Sequence, residues 1–354
     1  MQHRYFAASN SAEGFKNYFP DIFSRADRLY IIKGGPGTGK STLMKRFADR
    51  AEAKGYSVEY YYCSSDPASL DGVLAVRDDG TVGIVDGTAP HCYETTFPGA
   101  KEEILDIGRF WKSELLKKQK NEIFSLCVKK NSAYKRAYDY LRSCGNLRAV
   151  TDSLLRKALL CDKLASATAK TVELLPLRHG RATHSPALLS ALGMTGRVRL
   201  PSFENEVATV YTVNDFYGVG GMLLDALRDR LLNTDSRLRI SYDPVNPCHV
   251  DGIYIENCDT AFVLSENGEV DGDKGINPRR FVSKDSMKDI RGELRYAARL
   301  YSDCQSGAEH ALSEAKIYHF LLEDIYRRSM DFVALGEYVD ELLEREFGAA
   351  TECK

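Results

Sequence analysis

A short glycine-rich segment constrains this chain more than any other feature of its sequence. An apolar run rich in β-formers, Arg28–Lys33, is followed by the pattern GGPGTGKS at residues 34–41 and then by the helix-forming run Leu43–Ala48. Glycines let successive backbone N–H groups converge on phosphate oxygens, and the start of a helix adds a partial positive charge. The spacing therefore predicts a strand, a phosphate-binding loop and a helix, in that order.

Such a loop predicts a bound nucleotide with its metal ion. Lys40 would reach the β- and γ-phosphates, Ser41 would ligate Mg2+ through its hydroxyl, and Thr42 would lie beside the α-phosphate. We expect ATP and Mg2+ as cofactors. The residues expected to contact the nucleotide are Gly35, Pro36, Gly37, Thr38, Gly39, Lys40, Ser41 and Thr42.

A later strand supplies a candidate metal ligand. Residues 81–86 have the pattern of a buried strand that ends in an acid, Asp86. In a parallel α/β sheet, ligands bind beyond the carboxyl ends of the strands, so Asp86 is expected to hold Mg2+ directly or through water. Asp66 follows the preceding strand and is a further candidate. Its alternative is a structural role, because Asp-Pro is an ordinary turn former.

The group that would activate water is not evident from the sequence. Asp86 is followed by Gly87 rather than by a second acid. His91, on the loop that leaves the same strand, could sense the γ-phosphate or orient a water molecule. A structural hydrogen bond is the alternative for this histidine. The predicted catalytic residues are therefore Lys40, Asp86 and His91.

The order strand, glycine pair, helix recurs about 180 residues further along the chain. In residues 210–224, Gly218 and Gly220 fall where the first loop has its last two glycines. In this alignment Gly221 replaces the lysine and Met222 replaces the serine. The fold class predicted is α/β, with a parallel sheet that is duplicated. The second loop is expected not to bind Mg-ATP.

Helical stretches are predicted after each α/β unit, over about 101–178 and 284–347. Apolar residues recur at helical spacing in Glu103–Trp111 and Ala315–Leu322.

The helical pattern breaks between residues 176 and 201, and this break places a domain junction. We expect a nucleotide-binding domain over 1–178 and a degenerate copy of it over 179–354.

Asp215 adds a carboxylate to the second loop, which would repel phosphates.

Composition excludes several classes of protein. The chain has 354 residues, 44% of them hydrophobic, and a formal net charge of −2, so it has no global field that would gather nucleic acid or anionic membranes. No apolar stretch approaches a membrane span, and the N-terminal residues lack an apolar signal core. The nine cysteines, Cys353 among them, contain no CxxC pair and indicate neither a disulfide framework nor a zinc cage. We expect a cytoplasmic protein.

Five segments resemble a known family: His3–Ala7, Glu13–Phe15, Lys33–Thr42, Cys63–Pro67 and Ile84–His91. The family is that of bacterial tandem P-loop ATPases, in which two P-loop units, each followed by helices, occupy one chain. The resemblance implies a P-loop NTPase fold, ATP binding and hydrolysis. This chain departs from the family at its second, degenerate loop.

These observations lead to one main functional hypothesis and two alternatives. The main hypothesis is a Mg-ATP-dependent ATPase with one intact site in the first half and a regulatory or scaffold second half. A small-molecule kinase and a nucleotide-gated interaction module with little hydrolysis are the alternatives. The expected partners are the nucleotide and an unidentified protein or small molecule.

Overall fold

The first half of the chain is organised around a six-stranded sheet. The computed structural model describes residues 3–348 except 267, 269 and 271, so Cys353 lies outside the described residues. The strand order across the sheet is β1-β5-β6-β7-β4-β8, and β2 pairs with β3 in a separate hairpin. The elements are β1 (His3–Phe6), β2 (Ala8–Ser11), β3 (Gly14–Asn17), α1 (Phe19–Phe23), β4 (Arg28–Lys33), α2 (Lys40–Ala53), β5 (Ser57–Tyr62), β6 (Leu70–Arg77), β7 (Gly80–Asp86), β8 (Glu102–Asp106), α3 (Ser113–Lys118), α4 (Lys120–Arg156) and α5 (Cys161–Glu173).

The second half repeats this arrangement strand by strand. Its sheet has the order β9-β13-β14-β15-β12-β16, and β10 pairs with β11. Each sheet is followed by helices, as predicted. The elements are β9 (Thr183–Pro186), β10 (Ser190–Gly193), β11 (Gly196–Arg199), α6 (Ser202–Glu206), β12 (Thr209–Asn214), α7 (Val219–Leu231), β13 (Arg237–Tyr242), β14 (Val250–Ile255), β15 (Thr260–Ser265), β16 (Lys274–Ile276), α8 (Lys284–Arg328) and α9 (Phe332–Phe347).

Both sheets are mixed, so the prediction of a parallel sheet is wrong for one strand in each half. β6 runs antiparallel to β5 and β7, and β14 runs antiparallel to β13 and β15. The cause is the connection, because only Asp78 and Asp79 separate β6 from β7, whereas a parallel pair needs a crossover of a dozen or more residues. β4 and β7 are parallel neighbours, and their carboxyl ends therefore lie side by side.

The helical spacing read in Glu103–Trp111 is also wrong. Glu102–Asp106 forms the edge strand β8, which pairs with β4, and Ile107–Phe110 forms a single 3-10 turn. Pairing with β4 outweighs the local apolar spacing, because strand formation depends on the neighbouring strand more than on intrinsic preference. After β8, the next α-helix begins only at Ser113, and the long helix α4 begins at Lys120.

α2 packs against the sheet through one face. Leu43, Met44, Phe47 and Ala51 recur at three- and four-residue intervals and are all buried. They share a core with Tyr30 and other residues of the neighbouring strands. This packing fixes the start of α2, and with it the glycine-rich loop, against the end of β4.

The last helix of each half packs against the α/β unit of the other half. α9 buries Val339, Leu343 and Phe347 in the core formed by α2 and the first sheet. In the reciprocal arrangement, α5 buries Leu164 in the core that contains Leu227 of α7. Each half therefore completes the core of the other.

Main-chain hydrogen bonds fix the places where the chain passes into α9 and α5, the two helices that pack against the opposite half. Lys112 N donates to Ser329 O at 2.7 Å, beside the connection between α8 and α9. At the corresponding place in the other half, Ser283 N donates to Ala158 O at 2.8 Å, beside the connection between α4 and α5. The two connections are thus attached to opposite halves in the same way.

A buried ion pair also joins the two sheets. Glu59 of β5 accepts hydrogen bonds from Arg25 and from Arg239 of β13, each at 2.6 Å. Burial raises the pKa of Glu59, but the two guanidinium groups outweigh it and hold that pKa well below its usual range. The ion pair requires both halves, because Arg25 and Arg239 come from different ones.

Within the described residues, the structure contains no helix with the length and apolar character needed to cross a bilayer.

We expect Leu343→Ala to destabilise the first unit by about 2–5 kcal/mol, because it leaves a cavity in a core that α9 completes. Val333→Ala is the matched control, since Val333 lies on the same helix with its side chain 74% exposed. Urea unfolding followed by the fluorescence of Trp111, the single tryptophan, measures both. Equal unfolding free energies for the two variants would show that α9 does not contribute to this core.

Candidate functional site

The glycine-rich loop turns sharply between β4 and the start of α2. Gly37 has φ +65° and Gly39 has φ +88°, the left-handed conformation that glycine adopts with little strain. Gly39 is the N-cap of α2, so the loop ends at the positive end of that helix. Backbone N–H groups and the helix terminus together make this loop attractive to an anion.

Two of the predicted catalytic residues meet at this loop. Lys40 Nζ lies 3.5 Å from Asp86 Oδ2 and donates a hydrogen bond to Gly35 O at 2.6 Å. Both side chains are largely buried. Asp86 Oδ1 accepts a hydrogen bond from Thr88 N at 2.8 Å, which orients the carboxylate. A cation and a carboxylate therefore stand together at the ends of β4 and β7.

The hydroxyl groups of the loop have distinct surroundings. Thr38 is buried and its Oγ1 donates to Gly35 O at 2.8 Å, which closes the loop on itself. Ser41 Oγ accepts from Leu70 N at 3.0 Å and keeps its hydroxyl proton and a lone pair for other partners. Pro36 is partly exposed at the loop, and Thr42 is exposed on the first turn of α2.

Asp66 lies in the turn between β5 and β6. Its carboxylate accepts hydrogen bonds from Ser69 Oγ at 3.0 Å and Ala68 N at 3.4 Å. Both contacts are local to the turn, as expected for the turn-forming alternative. The structure gives Asp66 no contact with Lys40 or Asp86 among the described residues.

His91 is buried and lies apart from the pair of Lys40 and Asp86 in its own set of contacts. Its Nε2 atom lies 3.2 Å from Asp71 Oδ2, and its ring meets the rings of Phe15 and Phe19 edge-on. Asp71 and Cys63 stand beside it. Burial raises the pKa of Asp71; the nearby imidazole of His91 opposes this shift and the charge of Asp86 adds to it.

An acid from the second half reaches the glycine-rich loop, and sequence reasoning missed it. Glu323, near the end of α8, lies beside the loop, with its carboxylate near Lys40 and Gly37 N. His319 lies one turn earlier, with Nε2 3.4 Å from Glu323 Oε1. Burial raises the pKa of Glu323, but His319, Lys40 and Gly37 N outweigh it and lower that pKa. The only sequence signal was the pair of polar residues at i and i+4.

The ends of α8 and α9 pack closely over the loop. A Cβ at Gly37 would collide with the carbonyl oxygen of Glu323, and one at Gly35 would lie 3.3 Å from the ring of Tyr326. A Cβ at Gly39 would lie 3.3 Å from Leu335 Cδ2. The glycines therefore serve a second purpose, which is to let the helices of the second half approach.

The second loop is shorter than the first, and this corrects the alignment made from the sequence. Four residues separate β12 from α7, whereas six separate β4 from α2. Gly218, with φ +102°, is the N-cap of α7 and so corresponds to Gly39 rather than to Gly37. Val219 then stands where the first half has its lysine, and Gly220 stands where it has its serine.

The second loop already contains an anion of its own. The Asp215 carboxylate accepts hydrogen bonds from Gly218 N at 2.7 Å and Gly220 N at 2.9 Å. Arg148 of α4 covers the same loop, donating to Gly218 O at 3.3 Å and to Asp152 at 3.0 Å. Arg148 and Asp152 thus lie over the second loop much as His319 and Glu323 lie over the first.

Comparison with known proteins gives one short match. A family model described as nephrocystin 3, N-terminal, matches residues 16–76, which is well under half of the chain. The matched segment runs from β3 into β6 and includes the glycine-rich loop. No curated protein and no solved structure matches the chain.

His249 links α4 and α7 beside the second loop. Its Nε2 atom lies 3.0 Å from Asp152 Oδ2, and its Nδ1 atom lies 2.7 Å from Asp225 Oδ2. Hydrogen bonds to Asp152 and Asp225 raise the pKa of His249 to about 9, while burial and Arg148 oppose the shift. The imidazolium form is therefore the one this site favours.

We expect stability to depend on pH through His249. The folded pKa is raised above the usual value, so its contribution is fully present below about pH 6.5 and is lost as pH rises through about 9. His249→Gln should cost roughly 1–2 kcal/mol at pH 6 and less at pH 9.5. Denaturant unfolding at both pH values measures this, with His310→Gln as the exposed control on α8. A cost that does not change with pH would contradict the assignment.

Proposed function

We propose that the chain is a Mg-ATP-binding P-loop ATPase with one nucleotide site, in its first half. The observation that carries this proposal is the position of Lys40 beside Asp86, at the adjoining ends of two parallel strands and next to a left-handed glycine loop. A lysine and a cluster of backbone N–H groups suit phosphate oxygens. The short family match covers the same loop, and the resemblance to tandem P-loop ATPases supports the same proposal.

The residues at this loop also suit a magnesium ion. Ser41 Oγ and the Asp86 carboxylate are oxygen donors of the kind that Mg2+ prefers, and the hydroxyl of Ser41 retains a free lone pair. When bound, Mg2+ would neutralise charge on the phosphates. Lys40 would hold the β- and γ-phosphates, and the N–H groups of residues 37–41 would surround them.

The second half would act as a regulator rather than as a second site. Its loop lacks a lysine, and the Asp215 carboxylate already accepts the N–H groups that a phosphate would need. Bringing a phosphate to that loop would place two anions together in a partly desolvated position. One nucleotide per chain is the consequence.

The regulatory contact would be Glu323. This carboxylate lies near Gly37 N, a donor that the proposed site would offer to a phosphate. Like charges cannot share that position, so nucleotide binding would have to displace the carboxylate of Glu323. The second half would thereby compete with the nucleotide.

Turnover of the purified full chain with Mg-ATP tests the reaction class. Phosphate release without an added acceptor supports the ATPase. ADP formation that depends on an acceptor would instead indicate a small-molecule kinase, and tight binding without turnover would indicate a nucleotide-gated interaction module.

We expect a stoichiometry of one nucleotide per chain, falling to zero in Lys40→Ala. The variant removes the cation facing the β- and γ-phosphates, an interaction on the order of several kcal/mol in a preorganised site. Calorimetric titration with a non-hydrolysable ATP analogue and Mg2+ measures both values. Lys45→Ala, which removes an exposed lysine of the same helix, should bind like the wild type. Two nucleotides per chain, or tight binding by Lys40→Ala, would contradict the one-site proposal.

Glu323→Gln is expected to tighten nucleotide binding by on the order of tenfold, or ~1.4 kcal/mol. The amide keeps the shape of the side chain but removes the negative charge that would face the phosphates. The same calorimetric titration measures the change. Asp324→Asn is the matched control, because Asp324 pairs with Arg327 and Arg328 on its own helix. If the wild type binds nucleotide and Glu323→Gln binds it no more tightly, the proposal that nucleotide displaces Glu323 is wrong. The proposal of a nucleotide site at the first loop would be unaffected.

A further inference from the structure

A cysteine, an aspartate and a histidine from three different segments of the first half lie close together. Cys63 follows β5, Asp71 lies in β6, and His91 lies on the loop after β7. One ligand atom from each lies within 4.8 Å of the others. Asp71 Oδ2 and His91 Nε2 are 3.2 Å apart, a separation typical of two ligands on one tetrahedral metal ion.

Two of the three side chains are buried, Cys63 is partly buried, and the polar groups are incompletely satisfied. Asp71 is 5% exposed and His91 is 7% exposed. Asp71 Oδ2 makes no well-aligned hydrogen bond among the described residues, although it is fully enclosed and His91 Nε2 lies 3.2 Å away. A buried carboxylate oxygen without a well-aligned hydrogen bond is costly, and a cation between the three side chains would satisfy it.

We propose that Cys63, Asp71 and His91 bind a divalent cation of the zinc class. A thiolate, an imidazole nitrogen and a carboxylate oxygen are a donor set that suits Zn2+ and disfavours Mg2+, which takes oxygen ligands. Three protein ligands leave a fourth position for water. The cation would tie the ends of β5, β6 and β7 together and hold the loop that carries His91.

This site is distinct from the proposed magnesium site, because the proposed magnesium ligands Ser41 and Asp86 are not among its three ligands. It also does not depend on nucleotide binding. Every measurement below is made without nucleotide, so failure of the ATPase proposal would leave the result intact.

Cobalt titration of the chelator-treated full chain tests the proposal. We expect one Co2+ per chain, with a thiolate-to-cobalt charge-transfer band in the near ultraviolet and the intense visible bands of a tetrahedral ion. One equivalent of Zn2+ should abolish both. Cys63→Ser should lose the charge-transfer band. Cys92→Ser, which removes the exposed cysteine next to His91, should retain it.

The thermal midpoint of unfolding distinguishes loss of metal binding from a folding defect in the variant. Zn2+ should raise the thermal midpoint of the wild type and Cys92→Ser but not that of Cys63→Ser or Asp71→Asn, since only a bound ion stabilises the folded state. Absence of the charge-transfer band in the wild type, or its persistence in folded Cys63→Ser, would overturn the proposal.

Discussion

The antiparallel packing of α4 against α8 is the interaction on which the rest of the structure depends. These helices have 37 and 45 residues, and their contact is lined by small side chains such as Ala137, Ala308 and Ala311. At Gly307, a Cβ would lie 2.8 Å from the ring of Tyr140, so the glycine permits close approach of the two helices. Amphipathic helices of this length need a partner that buries their one apolar face. Once paired, each helix is directed toward the glycine-rich loop of the other half.

Each of the two loops is therefore covered by a long helix of the opposite half, but the loops differ in their chemistry. In the second half the anion belongs to the loop itself, since Asp215 directly follows β12 and accepts two N–H groups. In the first half the anion comes from α8, since the carboxylate of Glu323 lies near Gly37 N but belongs to a separate element. An intrinsic carboxylate cannot leave without remaking its loop, whereas a side chain on a neighbouring helix can rotate.

Local sequence patterns predicted those parts of the fold that local chemistry determines. The strand, glycine loop and helix over 28–53 follow from β-propensity, left-handed glycines and apolar spacing, and the pairing of Lys40 with Asp86 fits the predicted strand ends. The antiparallel β6 and the edge strand β8 were missed, because they depend on connection length and on neighbouring strands. A single shift could not align both loops, since their lengths differ.

Only the residues that the first half contributes to the candidate site could be predicted from the sequence. Glu323 lies more than 280 residues from Gly37 in the chain and belongs to a helix whose polar residues look solvent-facing in sequence. Cys63, Asp71 and His91 stand at no spacing typical of a metal motif, and only the order of the strands brings them together. The crossing of α5 and α9 between the halves was equally hidden, because an amphipathic helix does not specify which core it covers.

The anchoring of the helix ends limits how the second half could influence the first loop. Lys112 N bonds to Ser329 O and Asp331 N bonds to Phe110 O, so the connection between α8 and α9 is fixed to the first half by main-chain contacts. Moving α8 as a body would break these bonds, whereas the Glu323 side chain, 36% exposed, can turn toward solvent without them. A linkage between nucleotide and the second half through this carboxylate would thus need no movement of α8. Because linkage is reciprocal, an interaction that holds Glu323 beside the loop, such as its pairing with His319, would weaken nucleotide binding by the same free energy with which nucleotide weakens that interaction.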